Sequence, residues 1–295
     1  MDMQTSADVQ NRRITKGFML TRVGVTGIKK PVRVVRSDTS NTLFCNIDVF
    51  VDLPSTQKGS HLSRNLEAIN EEVERSLHNG LPGIEVFAAG LCRSLREKHE
   101  YSTYAEVCVT ADYFMERPGP SDKLNLESFK IMAKAVSHND DILKKMIGVE
   151  VIGMTACPCA METVREQYST NVTMDDCLPI ISHNQRNIAS VLLEVPENLD
   201  VEANDLIEIV EASFSSPTYE VLKRSDEAAV VLQAHREPKF VEDVVRTILS
   251  KVLERYPDLP NETLVTARSE SEESIHKHNA FAERVATLGD LRTRA

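Results

Sequence analysis

The spacing of apolar residues along the chain predicts alternating groups of strands and helices. Apolar and polar side chains alternate over residues 104–114, which predicts a strand with one polar face. Over residues 65–77 the apolar positions recur three or four residues apart, and a Gly-Leu-Pro-Gly turn at 80–83 follows, so a helix is predicted to end before that turn. The same criteria predict strands at 20–35, 43–53, 143–154, 187–195, 262–268 and 275–285, and helices at 84–98, 203–214, 226–234 and 239–256.

Three polar or glycine-containing stretches are predicted to interrupt these elements. Gly27 and the run at 37–41 are expected to break the first strands, and residues 118–120 belong to a polar connection that leads toward the strand at 143–154. Strands, two or more helices and further strands then occur twice in succession. This order predicts an α+β fold of two units with antiparallel sheets and helices on one face, at 16–150 and 151–295, after a flexible N-terminus at 1–15.

Composition and charge limit the classes of protein to which this chain can belong. The chain has 295 residues, of which 41% are hydrophobic, and a formal net charge of -11, which argues against a general nucleic-acid binder. It contains neither a run of ~18 apolar residues nor a charged and then apolar leader, so a cytoplasmic protein without membrane segments is expected. Neither the glycine-rich dinucleotide fingerprint nor a Walker phosphate loop is present in the sequence.

Two cysteines separated by a proline mark the end of the strand at 143–154. Cys157 and Cys159 are too close in sequence to close an unstrained disulfide. The sulfur of one of them is therefore a metal ligand or a reactive thiol, or both cysteines are inert and buried, and the pattern alone leaves these readings open.

Other polar clusters each have a functional and a purely structural interpretation. Residues 182–186 are a turn that is either part of a site or simply solvated, and residues 58–64 open a helix that either seats a phosphate, with a serine N-cap, or is only capped. Residues 272–278 combine carboxylate and imidazole groups of the kind used for acid–base work. Asp226 and Glu227 form an acidic helix start, which the helix dipole favours by itself.

Taken in order, six strings of residues resemble the type IB GTP cyclohydrolases. They are Lys58-Gly-Ser-His-Leu-Ser-Arg64, Thr155-Ala-Cys-Pro-Cys159, Ser182-His-Asn-Gln-Arg186, Lys223-Arg-Ser-Asp-Glu227, Pro238-Lys-Phe-Val-Glu-Asp243 and Glu273-Ser-Ile-His276. Gly153-Met154 before the cysteines and the long segment between Cys159 and His183 resemble the archaeal branch of that family. Ser225 stands where bacterial members have proline and Leu62 where they have methionine, and neither change removes a reacting group.

The resemblance implies a tunnelling fold. Each subunit would contain two ββααββ-like units, and the subunits, in a homotetramer, would join their sheets into barrels with active sites at the interfaces. The implied substrate is GTP, whose imidazole ring is opened by water at C8 with release of formate. The product would be a 7,8-dihydroneopterin, carrying a 2′,3′-cyclic phosphate in the archaeal type or a triphosphate in the bacterial type, as the first step toward tetrahydromethanopterin or folate.

The resemblance also assigns roles to individual residues. One divalent metal per subunit, Fe²⁺ first and Zn²⁺ or Mn²⁺ as alternatives, would be bound by Cys157, His183 and Glu227. The catalytic residues would be Cys157, Glu242 and His276, and Glu273 would anchor the guanine. The residues implied for the phosphates are His61, Arg64, Arg186, Lys223 and Arg224. Of these, Arg64 and Arg186 are preferred because the planar guanidinium group fits phosphate.

Two rival classes remain open at this stage. A different tunnelling-fold enzyme would use a cysteine as nucleophile and would need no catalytic metal. A non-catalytic purine- or pterin-binding protein would use Cys157 and Cys159 only for structure. Metal content separates the first rival from a GTP cyclohydrolase, and turnover of GTP separates the second.

Overall fold

The computed structural model describes residues 9–12, 14, 17–36, 39–138, 143–168, 178–196 and 199–293. The chain divides into two compact units, one formed by residues 1–111 and 132–147 and the other by residues 112–131 and 148–295. The boundary at residue 150, expected from the order of the elements, stays a prediction.

The chain forms an α+β fold with antiparallel pairing of strands, as the order of elements predicts. The strands are β1 (Leu20–Arg36), β2 (Thr39–Leu53), β3 (Ala105–Pro118), β4 (Leu124–Ser137), β5 (Leu143–Ala156), β6 (Asn184–Glu194), β7 (Ser216–Pro217), β8 (Leu264–Glu272) and β9 (Ala280–Thr287). The helices are α1 (Leu62–Asn79), α2 (Ile84–Lys98), α3 (Pro158–Tyr168), α4 (Ala203–Glu211), α5 (Arg224–Arg236), α6 (Val241–Arg255) and α7 (Leu288–Arg292).

In the first unit β2 pairs with β1 on one side and with residues 105–111 of β3 on the other. Alternate residues of β2, such as Ile47 and Val49, are fully buried, because successive side chains of a strand point to opposite faces. The apolar faces of α1 and α2 supply Ile69, Phe87 and Leu91 to the same core. The helices at 65–77 and 84–98 are therefore confirmed, and α1 is longer than predicted at both ends.

In the second unit the strands follow the order β5-β6-β8-β9, and the short strand β7 pairs with β5. Helix α6 contacts β6, β8 and β9 and contributes buried residues such as Val244 and Ile248. From the strands, Val191 and Val265 are fully buried. This core holds the strand ends around which the candidate site is built.

Several predictions about individual elements were wrong. Gly27 does not break β1, because its positive φ of 72° accommodates a register shift between Val25 and Ile28 within a continuous strand. The connection after Pro118 contains an entire strand, β4, in which more buried and more exposed residues alternate along the chain. The last strand begins at Ala280, because residues 274–278 form a bend rather than the start of a strand.

Pro158 does end the preceding strand, as predicted, but it also begins a helix that was not predicted. Proline is well suited to the first position of a helix, since its missing N–H would have no partner there. Within the described ranges, no helix is both long and apolar enough to cross a membrane.

Candidate active site

A cavity of about 420 Å³ opens in the second unit, where β5, β6 and β8 end beside the start of α6. Five residues singled out by the sequence line it. They are Cys157, His183, Glu242, Glu273 and His276. These residues come from four separate stretches of sequence, so the fold assembles most of the predicted chemical groups at one place.

The backbone holds Cys157 and His183 side by side. The amide of Cys157 donates to the carbonyl oxygen of His183 at 3.0 Å, and the Ser182 hydroxyl donates to the carbonyl oxygen of Cys157 at 2.6 Å. The Cys157 sulfur also accepts from the backbone N–H of Ala160, in the first turn of α3, at 3.5 Å. Cys159 is exposed and is not a lining residue.

The His183 ring is largely buried, with 12% of its side chain exposed, and it has a specific partner. Its Nδ1 atom lies 2.9 Å from the amide oxygen of Gln185 and 3.8 Å from the Glu273 carboxylate. The Gln185 amide nitrogen donates to Glu273 at 3.4 Å. Because a neutral imidazole carries one proton, a proton on Nδ1 leaves Nε2 as the acceptor.

The floor of the cavity is polar although it is buried. Thr155, Gln185 and Ser271 come from three strands and have exposures of 1%, 9% and 1%. The hydroxyls of Thr155 and Ser271 are 3.4 Å apart, and the Gln185 amide reaches Thr155 at 3.5 Å. Buried polar groups cost free energy unless they are paired, so these contacts indicate a site rather than a packing surface.

Two histidines and two charged residues near the start of α6 also line the cavity. The rings of His276 and His278 stack with centroids 5.2 Å apart, and the His276 ring lies 6.3 Å from that of His183. Glu242 is exposed in the first turn of α6. Burial lowers the pKa of Lys239, whose ammonium donates to the carbonyl oxygen of Phe214 at 2.7 Å.

Sequence reasoning did not single out Lys239, Thr155, Ser271 or His278. Ser271 on β8 precedes Glu273, the residue directly after that strand, by two residues, so the strand period was a signal for placing both on one face. The motifs contained Thr155 and Lys239, but nothing in their spacing distinguished them from structural residues.

Other predicted residues of this unit lie outside this cavity. Glu227 is exposed on α5, and Lys223 and Arg224 are exposed at its N-terminal end. Arg186 lines a separate cavity of about 220 Å³. Among the described residues no three His, Cys, Asp or Glu side chains converge as a metal site would require. The ligand set Cys157, His183 and Glu227 therefore stays a prediction.

In the first unit, His61 and Arg64 lie at the N-terminal end of α1. His61 is the N-cap and makes no side-chain capping hydrogen bond, so the predicted serine N-cap was wrong. The Ser60 hydroxyl is instead 2.9 Å from that of Tyr101, with which it shares a hydrogen bond. Arg64 donates to the carbonyl oxygen of Lys98 at 3.0 Å, which fixes its guanidinium against the end of α2.

A buried hydrogen-bonded chain supports this turn. Tyr101 lies 3.0 Å from Nδ1 of the fully buried His99, and Nε2 of His99 lies 2.6 Å from the Asn65 side-chain oxygen. Burial lowers the pKa of His99 to about 4, so the ring is neutral at physiological pH and each of its nitrogens has one role. The phosphate roles of His61 and Arg64 stay predictions.

Comparison with known proteins gives a family. The family model described as type I GTP cyclohydrolase folE2 matches residues 7–282. The chain is 44% identical to GTP cyclohydrolase MptA of Methanothermobacter thermautotrophicus, over 97% of this chain and 94% of that protein. It is 43% identical to GTP cyclohydrolase MptA of Methanocaldococcus jannaschii, over 98% of each chain.

Among solved structures, uricase from Arthrobacter globiformis is similar to this chain with a TM-score of 0.54. The match covers 90% of this chain and 93% of the uricase chain, at 7% sequence identity. At that identity the similarity concerns the fold alone.

Proposed function

The chain belongs to the type I GTP cyclohydrolase family, and on that premise we propose that it is a GTP cyclohydrolase with the cavity of its second unit as the reaction site. The observation that supports this site is the pairing of Cys157 with His183 at one cavity, beside three further acid–base groups. The proposed reaction opens the guanine imidazole ring at C8 with water, releases formate and forms a 7,8-dihydroneopterin.

Cys157 and His183 supply two of the ligand types that a divalent metal ion takes. Cys157 offers a sulfur and His183 an Nε2 atom that does not contact Gln185, and thiolate with imidazole disfavours Mg²⁺ or Ca²⁺. We propose one ion per subunit, Fe²⁺ before Zn²⁺ or Mn²⁺, with Glu227 or water as a further ligand. When bound, such an ion would lower the pKa of water and so supply hydroxide at neutral pH.

The other lining residues have roles that follow from their chemistry. His276 and Glu242 are exposed to the cavity and can move protons to N7 and N9 of the guanine as the ring opens. Glu273 accepts from N1–H and the exocyclic amine of guanine, a bidentate pattern that adenine cannot offer. Since Glu273 is 11% exposed, base recognition would occur deep in the cavity.

The phosphate groups and the assembly belong to the same proposal. His61, Arg64, Arg186, Lys223 and Arg224 are the candidates for the triphosphate, and they are divided between the two units of the chain. A homotetramer of tunnelling-fold subunits, whose ββααββ-like units join into barrels, would place such residues around sites at subunit interfaces. The similarity of fold to uricase supports the proposed fold of the subunit.

The product would be the 2′,3′-cyclic phosphate if the chain is of the archaeal type and the triphosphate if it is of the bacterial type. The 43–44% identity to MptA proteins over 94–98% of their length supports the archaeal type. The cyclic phosphate would enter tetrahydromethanopterin synthesis, and the triphosphate would enter folate synthesis. Mass spectrometry of the product distinguishes the two.

The deciding experiment is an anaerobic assay of the Fe²⁺-loaded protein with GTP, in which formate and the pterin product are both measured. Cys157→Ala should abolish turnover, and Cys159→Ala is the matched control because it removes an exposed thiol two residues away. Full turnover without metal would favour the enzyme class with a cysteine nucleophile. Absence of turnover under every metal would favour a non-catalytic purine- or pterin-binding protein.

A further inference from the structure

We propose that Gln185 is a positioning residue that joins His183 to Glu273, so that the imidazole presents Nε2 to a metal while the carboxylate is held for its ligand. The proposal rests on the proposed function for the metal at His183 and for the identity of the ligand at Glu273. Nothing in the sequence motifs distinguishes Gln185 from its neighbours Asn184 and Arg186.

The distances identify Gln185 as the direct partner of His183. Its amide oxygen is 2.9 Å from Nδ1 of His183, whereas the nearer Glu273 oxygen is 3.8 Å from that atom and beyond hydrogen-bond reach. The amide nitrogen of Gln185 is 3.4 Å from the other oxygen of Glu273. Gln185 therefore stands between the two groups and contacts both.

Only a side-chain amide satisfies both contacts at once. Its oxygen accepts the Nδ1 proton of His183 and its nitrogen donates to the carboxylate of Glu273, whereas a carboxylate has no donor and a hydroxyl is too short to reach both. The Nδ1 proton leaves a lone pair on Nε2, which is the form of imidazole that binds metal ions.

The surroundings hold the amide in this orientation. Gln185 is 9% exposed, and its nitrogen also lies 3.5 Å from the Thr155 hydroxyl on the neighbouring strand β5. Pairing of β6 with β8 places Arg186 opposite Glu272, so Gln185 and Glu273 meet at the ends of adjacent strands. A side chain fixed on both sides by strands can transmit a displacement of Glu273 to His183.

The test uses Gln185→Glu, Gln185→Leu and the control Gln233→Leu, which changes an exposed glutamine on α5. Co²⁺ alone serves as the metal probe, because its absorption bands with thiolate and imidazole ligands report coordination without turnover. GTP affinity is measured separately by calorimetry on the metal-free proteins. Circular dichroism establishes that each variant is folded.

Gln185→Leu should weaken Co²⁺ binding roughly ten- to a hundredfold, the range typical for lost partners of metal ligands. Gln185→Glu keeps an acceptor for His183, so it should retain Co²⁺ affinity, but it sets a second carboxylate against Glu273 and should weaken GTP binding. Gln233→Leu should resemble the wild type in both measurements.

Wild-type Co²⁺ affinity and absorption in a folded Gln185→Leu would overturn the proposal, as would equal loss of Co²⁺ binding in Gln185→Glu and Gln185→Leu. If the expected Co²⁺ pattern is found but no form of the protein turns over GTP, the role of Gln185 stands and the proposed function fails. If GTP is turned over and Co²⁺ affinity is the same with and without the Gln185 side chain, the proposed function stands and the proposed role of Gln185 fails.

Discussion

Replacement of Glu273 by glutamine tests whether this carboxylate reads the guanine. In the structure one carboxylate oxygen already accepts from Gln185 at 3.4 Å, and the other faces His183 from 3.8 Å. A carboxylate presents acceptors in both directions, but an amide must place its NH₂ group on one side. That group would oppose either the donor of Gln185 or the donors of the guanine, so one mismatched contact is unavoidable in Glu273→Gln.

The size of the effect follows from the burial of the site. A buried polar group left without its partner costs about 1–3 kcal/mol. At about 1.4 kcal/mol for each factor of ten, GTP binding should weaken roughly ten- to a hundredfold. Metal content should be kept, because the His183 contact with Gln185 remains available at 2.9 Å.

Calorimetric titration of GTP into metal-free protein measures this difference directly. Glu242→Gln is the matched control, since it makes the same chemical change at an exposed carboxylate of the same cavity. It should keep GTP affinity and lose turnover. Unchanged affinity in Glu273→Gln would refute the reasoning, and a loss confined to Glu242→Gln would place guanine recognition at the start of α6.

Metal analysis and a GTP assay should find neither bound metal nor turnover in Cys157→Ala, and near-normal metal content and turnover in Cys159→Ala. Equal losses of metal and turnover in the two variants would refute the choice of Cys157 as the ligand. Light scattering should report a homotetramer, and a fully active monomer would contradict sites shared between subunits. Asp52→Asn should lower the free energy of unfolding in urea by about 1–3 kcal/mol, because the Asp52 carboxylate accepts from four donors of the turn at 102–104. Burial opposes ionisation of Asp52, but these hydrogen bonds outweigh it and hold its pKa below the usual value. Its stabilisation should therefore be present above pH ~4 and disappear as the pH falls through the lowered pKa, and an equal acid sensitivity of wild type and Asp52→Asn would contradict this.

The elements with a strong local pattern could be predicted from the sequence. The helix at 84–98 has the predicted bounds, because Gly83 precedes an amphipathic run that ends where the apolar period ends. Strand β4 was missed although its buried and exposed positions alternate, because a turn rich in proline and glycine precedes it, its buried face includes Glu127 and its other face includes the apolar Leu124 and Leu126. Local composition there resembled a loop, and only pairing with β3 and β5 shows it to be a strand.

The sequence predicted which residues belong to the site, but it did not predict which of them contact one another. The motifs supplied Cys157, His183 and Glu273, but the contact from Gln185 to Glu273 joins positions 88 residues apart. No periodicity within a single element reports such a contact. For the same reason the sequence did not separate Glu242, which lines the cavity, from Glu227, which does not.

Strands β6 and β8 share a face that is apolar along most of its length and polar at the end that lines the cavity. This change from apolar to polar side chains explains why a polar cavity forms at that end of the strands. Farther along the same face, Val191 and Val265 are fully buried against the apolar side of α6. Toward the cavity the face changes to Asn187 and Gln185, and the Ser269 hydroxyl donates to Asn187 at 2.8 Å. Apolar residues would fill these positions without the cost of burying polar groups, so stability does not require the change. Its consequence is a strand end that can orient His183 and Glu273 by hydrogen bonds, which an apolar surface cannot do.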